Sequence, residues 1–245
     1  MSKFSKLSTL PPDEVKKKEI KKKTQKYIDR IRSLQHILYA EQKFSMLIVL
    51  QGMDASGKDG ATKTVFSGSN PQGVGVTSFK VPTEKEKAHD FLWRVHMEVP
   101  EKGMIKIFNR SHYEDVLVTR VNGLIDSQEV KKRMKHINDF EKLLTESGTV
   151  VLKFYLHISE KEQAKRFHER LEDPNKQWKF NPSDITTAKQ WPQYREAYQD
   201  VFDTCNDVPW TIVPSDENWY KEYIIAKTVS KALENMKLEF PSLHI

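Results

Sequence analysis

Leu47-Ile48-Val49-Leu50-Gln51-Gly52-Met53-Asp54-Ala55-Ser56-Gly57-Lys58-Asp59-Gly60 is the stretch on which the reading of this 245-residue chain turns. An apolar run of one buried strand's length ends in Gly52, and a loop of small residues leads to Gly57-Lys58 and a segment able to open a helix. Glycines at both ends let successive backbone N–H groups converge on an anion, the helix N-terminus adds partial positive charge, and Lys58 reaches the distal phosphates. The spacing G-x-x-x-x-G-K fills the first seven positions of the P-loop pattern. Asp59 stands at the eighth, where a Ser or Thr hydroxyl would ordinarily hold Mg²⁺. Asp54 is an acid inside an anion-binding loop, which repels phosphate unless a metal ion or a proton lies between them. It is therefore expected to be the substitute Mg²⁺ anchor. The bland alternative, a glycine turn with a surface lysine, leaves that acid unexplained.

Outward from the loop, the chain reads as one large domain, residues 13–245, behind a flexible tail over 1–12 ending in Pro11-Pro12. A lone cysteine, Cys205, excludes an internal disulfide. No signal-like N-terminus and no apolar run of bilayer length are evident, so a soluble, cytoplasmic setting is expected and no membrane partner. The net charge is +6, yet residues 1–35 alone carry +7 and the remainder −1. Basicity is thus a property of the N-terminal helix expected from Asp13 to about Lys43, with Ile20, Tyr27, Ile31, Leu34 and Leu38 inward and a wet first half. Such an arm can serve solubility first, a polyanion second or nucleic acid last, and no specific nucleic-acid partner is expected from it.

Further strands are expected at Val74–Val81, Met104–Phe108, Thr149–Leu156 and Trp210–Val213, with helices between them. A helix from Pro82-Thr83-Glu84 has Ala88, Phe91, Leu92, Val95 and Val99 as its stripe. Another, Asp126–Ser147, turns Val130, Met134, Ile137, Phe140 and Leu144 inward. A helix over 182–204 has Trp191, Tyr194, Tyr198 and Phe202 as core, and Tyr223, Ile224, Ala226, Val229 and Leu233 face inward from the last one. Repeated strand–helix units after a phosphate loop predict an α/β, three-layer P-loop kinase fold on a five-stranded parallel sheet. The third strand delivers Asn109-Arg110-Ser111-His112-Tyr113-Glu114-Asp115 to the edge where the loop opens. Arg110 can neutralise phosphate, and Glu114 and Asp115 can hold Mg²⁺ or position a nucleophile. Alternatively Ser111 and Glu114 form a capping box. The basic segment Lys165, Arg166 and Arg170 reads either as a solvated helix face or as part of a helical lid over about 161–185.

Gly52–Gly60, Asn70-Pro71-Gln72-Gly73, His89-Asp90-Phe91-Leu92-Trp93-Arg94, Phe108–Glu114 and Trp178-Lys179-Phe180 together resemble the polyphosphate kinase 2 family, from about residue 30 onward. The resemblance implies reversible phosphoryl transfer, with Mg²⁺, between inorganic polyphosphate and adenine nucleotides, guanine nucleotides being a further class. It implies that Gly52, Ala55, Ser56, Gly57, Lys58, Asp59 and Gly60 bind phosphate, with Arg110 of the second motif and lid arginines Arg166 and Arg170. Asp54 and Glu114 are the implied metal ligands, and association as a dimer or tetramer is implied. Asn109 stands where other branches have Asp, as in the branch accepting both AMP and ADP, which leaves open whether the second motif supplies a metal-binding acid. Two competing classes remain: an ATP-dependent nucleotide kinase, and a non-catalytic polyanion binder working through its N-terminal lysines.

Overall fold

The computed structural model describes residues 7–179 and 188–243. The first six residues of the expected tail, and residues 180–187, which include Phe180 and where the lid was to end and the next helix to begin, lie outside the described residues. Five parallel strands form one sheet in the order β2-β3-β1-β4-β5. They are β1 (Ser45–Gln51), β2 (Val74–Thr77), β3 (Ile105–Asn109), β4 (Thr149–His157) and β5 (Trp210–Pro214).

The central strand explains the layering. Every residue of β1 is buried, because both of its faces are covered, as all-parallel sheets require. Leu47 and Val49 face one core with α5 (Glu114–Val121), α6 (Ser127–Glu146) and α8 (Trp191–Thr204), through Val116, Met134, Ile137, Phe140 and Tyr198. Met46, Ile48 and Leu50 face the other, made with α1 (Lys17–Glu41), α2 (Lys58–Val65) and α9 (Asn218–Asn235), through Ile31, Leu38, Val65 and Val229. α6 buries all five residues its spacing marked, and Asp126 caps it by accepting from Glu129 N at 2.8 Å. On the other side of the sheet, α1 is buried at Ile20 and Thr24 as well as further on, so its first half packs too. α9 turns Lys221, Ile225, Ala226, Val229, Ser230 and Leu233 inward, while Tyr223 and Ile224 are half-buried.

Two expected elements are shorter. β2 stops at Thr77, since it lies on the sheet edge and pairs only with β3. The helix expected from residue 83 splits into α3 (Glu84–Lys87) and α4 (Trp93–His96), because Asp90 Oδ1 accepts from Leu92 N at 2.9 Å and forms a local turn between them. Residues 7–10 of the expected tail are tied down: Asp216 N donates to Thr9 O at 3.1 Å and Thr9 Oγ1 to Asp216 Oδ2 at 2.8 Å. No helix among the described residues is long and apolar enough to cross a membrane.

Candidate active site

Register brings the two motifs together. Leu50 of β1 lies beside Asn109 of β3, so the chain leaves both strands at the same level, and Arg110 N donates to Leu50 O at 3.1 Å. Gly52 turns out of β1 at φ +149°, where an added Cβ would stand 2.8 Å from Leu156 O, and Gly57 caps α2 at φ +91°. Both positions need glycine, the first for close approach to β4 and the second for a left-handed turn.

Between them each loop carbonyl has a donor. Lys58 Nζ donates to Gly52 O at 2.7 Å and to Met53 O at 3.3 Å, and Gln163 Nε2 to Asp54 O at 2.9 Å. Arg166 donates to Ala55 O at 2.9 Å, Lys221 to Ser56 O at 3.3 Å, and Ala61 N to Gly57 O at 3.0 Å. With its carbonyls engaged, the loop has its negative ends neutralised. The amides of Lys58, Asp59 and Gly60, which open α2 and have no partner within the helix, remain for an anion.

The charged groups form a compact set. Arg110 donates to Asp54 Oδ1 at 2.5 Å, and Asn109 Nδ2 to Asp59 Oδ1 at 2.6 Å. Arg110 holds a left-handed backbone, φ +66°, which costs a non-glycine residue about 1–2 kcal/mol. Such strain persists where the surroundings over-determine it, here in a side chain aimed at the loop acid. Burial opposes the Arg110 charge, but Asp54 and Glu114 outweigh it and its pKa rises. Burial lowers that of Lys58, against the pull of Asp54. It raises that of Glu114, against Arg110 and Lys58.

Glu114 makes no capping box. Ser111 Oγ accepts from Tyr113 N at 3.2 Å, while Gln51 Nε2 bridges Ser111 Oγ and Glu114 Oε1, both at 3.1 Å, and Gln51 Oε1 accepts from Tyr198 OH. The end of β1 thus positions the carboxylate that follows β3.

Of the expected lid, α7 (Glu160–Glu172) borders the cleft with Arg166 and Arg170. Arg166 behaves as a brace. Besides Ala55 O it donates to Ser215 O and Asp216 O, both at 2.8 Å, and to Glu162 at 2.9 Å, tying α7, the loop and the turn after β5 together. The cleft, about 900 Å³, is also lined by Trp178 of the expected lid, by Lys80 and Lys221, to which the sequence reading assigned no role, and by Lys17 and Lys21 of α1.

The family model described as polyphosphate kinase 2 matches residues 14–241. The chain belongs to the polyphosphate kinase 2 family. Within it, the chain is 48% identical over 214 residues to an AMP/ADP-polyphosphate phosphotransferase of Meiothermus ruber, covering 86% of this chain and 80% of that one. It is 39% identical to an ADP-polyphosphate phosphotransferase of Rhodopseudomonas palustris, covering 87% and 79% of the two chains. The crystal structure of polyphosphate kinase 2 from Arthrobacter aurescens TC1 superposes with a TM-score of 0.95 at 37% identity, covering 99% of this chain and 88% of that one.

In this polyphosphate kinase 2 member, Gln51, Gln163, Tyr198 and Lys221 are site residues that sequence reasoning missed. Only Gln51, the polar end of an apolar strand, carried a local signal.

Proposed function

We propose that the protein transfers a phosphoryl group reversibly between inorganic polyphosphate and adenine nucleotides, converting AMP to ADP and ADP to ATP. The observation that carries this reading is the loop itself, an anion nest with engaged carbonyls, holding an acid that is paired to the arginine of the second motif. The names of the relatives support the same substrates.

In the reaction, an anionic oxygen on the acceptor's terminal phosphate attacks the terminal phosphorus of the polymer. A P–O bond forms there as the bond to the next bridging oxygen breaks, and the electron pair leaves with the shortened polymer. No general base is needed, since the attacking oxygen is already ionised, so the protein's work is positioning and charge neutralisation. Lys58 exchanges its bonds to Gly52 O and Met53 O for a phosphate oxygen, and Arg110 shifts from Asp54 to the transferred group.

Among the described residues no cluster of three or more His, Cys, Asp or Glu could hold a metal. The two carboxylates that flank Arg110, Asp54 and Glu114, suit Mg²⁺, which is bound by one or two carboxylates and completes its shell with substrate phosphates and water. Asp54 and Glu114 would hold it, and bound there it offsets charge on both reacting ends. We also propose a cytoplasmic setting, in keeping with a chain whose single cysteine, Cys205, is free and buried. Self-association as a dimer or tetramer completes the proposal.

The test is to incubate the protein with polyphosphate and Mg²⁺ and either ADP or AMP, without ATP. ATP from ADP, and both ADP and ATP from AMP, are expected. Turnover with ATP as donor and none with polyphosphate would establish the ATP-dependent kinase instead.

A further inference from the structure

Among the described residues three lysines are buried, Lys58 of the loop, Lys153 and Lys221, and the last two are treated differently. Lys153 on β4 donates to Glu141 Oε2 at 2.7 Å, Tyr113 OH at 2.8 Å and Cys205 O at 2.9 Å, which satisfies all three of its donors and its charge. Lys221, at the start of α9 and 1% exposed, donates only to Asn218 Oδ1 at 2.8 Å and, at the long distance of 3.3 Å, to Ser56 O. Both acceptors are neutral. Among the described residues no carboxylate forms an ion pair with it, and Arg166 and Lys58 are near enough to repel its charge. A buried ammonium without a counterion is expensive to keep, and a hydrophobic residue of similar length would serve packing better. Its place says what it waits for. An added Cβ on Gly57 would fall on its ammonium, so the head lies against the loop, and it lines the cleft.

We propose that Lys221 is a phosphate-binding residue of the loop, exchanging Ser56 O for an oxygen of the polyphosphate donor; this rests on the polyphosphate reading above. The sheet order assigns the side. Arg110 reaches the loop from β3, whereas Lys221 follows β5 and Arg166 follows β4, on the opposite flank. The cleft gathers, besides Arg166 and Lys221, the basic side chains Lys165 and Arg170 of α7 and Lys17 and Lys21 of α1. Cations drawn from three helices suit an extended polyanion better than one nucleotide.

Burial, then Arg166, lowers the pKa of Lys221 to about 7, with Glu222 and Glu162 opposing and Lys58 adding to the fall. A bound anion favours the charged form, so the contribution of Lys221 to binding is full below pH 7 and fades as the pH rises.

The experiment is titration calorimetry of the full chain with tripolyphosphate, and separately with ADP, for wild type, K221M and K221Q from pH 6.5 to 9, alongside thermal melts. Expected is a tenfold or greater loss of tripolyphosphate affinity in both variants at pH 7, narrowing towards pH 9. ADP affinity should change less than threefold, and the K221M melting temperature should be unchanged or higher. Unaltered tripolyphosphate affinity, a loss confined to ADP, or a loss that is constant with pH and accompanied by a lower melting temperature in both variants would overturn the assignment. A wild type that binds ADP but no tripolyphosphate would sink the polyphosphate reading together with it.

Discussion

Replacing Lys153 with Met removes an ammonium group from a pocket closed to water. Glu141, 0% exposed, would keep Tyr113 OH at 2.7 Å and His112 Nε2 at 3.3 Å but lose its ion pair. Breaking a buried pair from one side costs about 3–5 kcal/mol, because the remaining charge stays desolvated. At roughly 2–4 °C per kcal/mol for a domain of this size, K153M should melt about 10 °C below wild type in the absence of ligands. The sign with pH follows from Glu141. Burial opposes its charge, but His112 and Lys153 outweigh it and hold its pKa below the usual 4.5, so in the wild type its stabilisation is present above that value and is lost as pH falls. In K153M the share of that lowering owed to Lys153 is gone and burial weighs more, so the deficit should be largest near neutral pH and shrink on acidification as Glu141 takes up a proton. The double variant E141L/K153M should recover most of the loss, since it leaves no orphaned charge. Urea titrations and thermal melts measure all three. A K153M protein within 1 kcal/mol of wild type, or a double variant no better than the single one, would refute the reasoning.

K58A and, separately, D54N should each lower transfer roughly 10²–10³-fold or more, with melting temperature little changed, as read in a polyphosphate-to-ADP assay. N109D would set two carboxylates against each other where Asn109 now donates to Asp59 at 2.6 Å; the variant should melt lower than wild type at pH 8 and regain the difference towards pH 5. Glu114 has its pKa raised by burial, so the wild-type rate should fall with acidification from a pH above its ordinary 4.5, whereas E114Q should lack that limb of the pH–rate profile. A rate profile with the same acid limb in both proteins would remove Glu114 from the charged site.

Local chemistry made part of this legible and the topology decided the rest. Leu47–Leu50 could be read as a buried strand because it is apolar without interruption, and Gly52 and Gly57 because only glycine accepts their backbone. α6 was readable for the same kind of reason, a 3.6-residue stripe with an Asp at its start. The Ser111–Glu114 capping box was a sound local reading, but Gln51, sixty-three residues away from Glu114, took both side chains once β1 and β3 were neighbours. Arg166 has Glu162 one turn behind it, the pattern of a solvated helix face. Its remaining donors go instead to carbonyls of the loop and of residues 215 and 216, which meet only because β4 and β5 lie side by side beyond β1. Lys221 is the extreme case, one lysine in Asn218-Trp219-Tyr220-Lys221-Glu222 whose neighbours in the chain say nothing about phosphate. Its role is set by the sheet order, which starts α9 at the flank of the loop that Arg110 does not reach. The acid and the lysine of the loop could therefore be named from seven residues, whereas the cations that surround a long anion had to come from helices far apart in the chain.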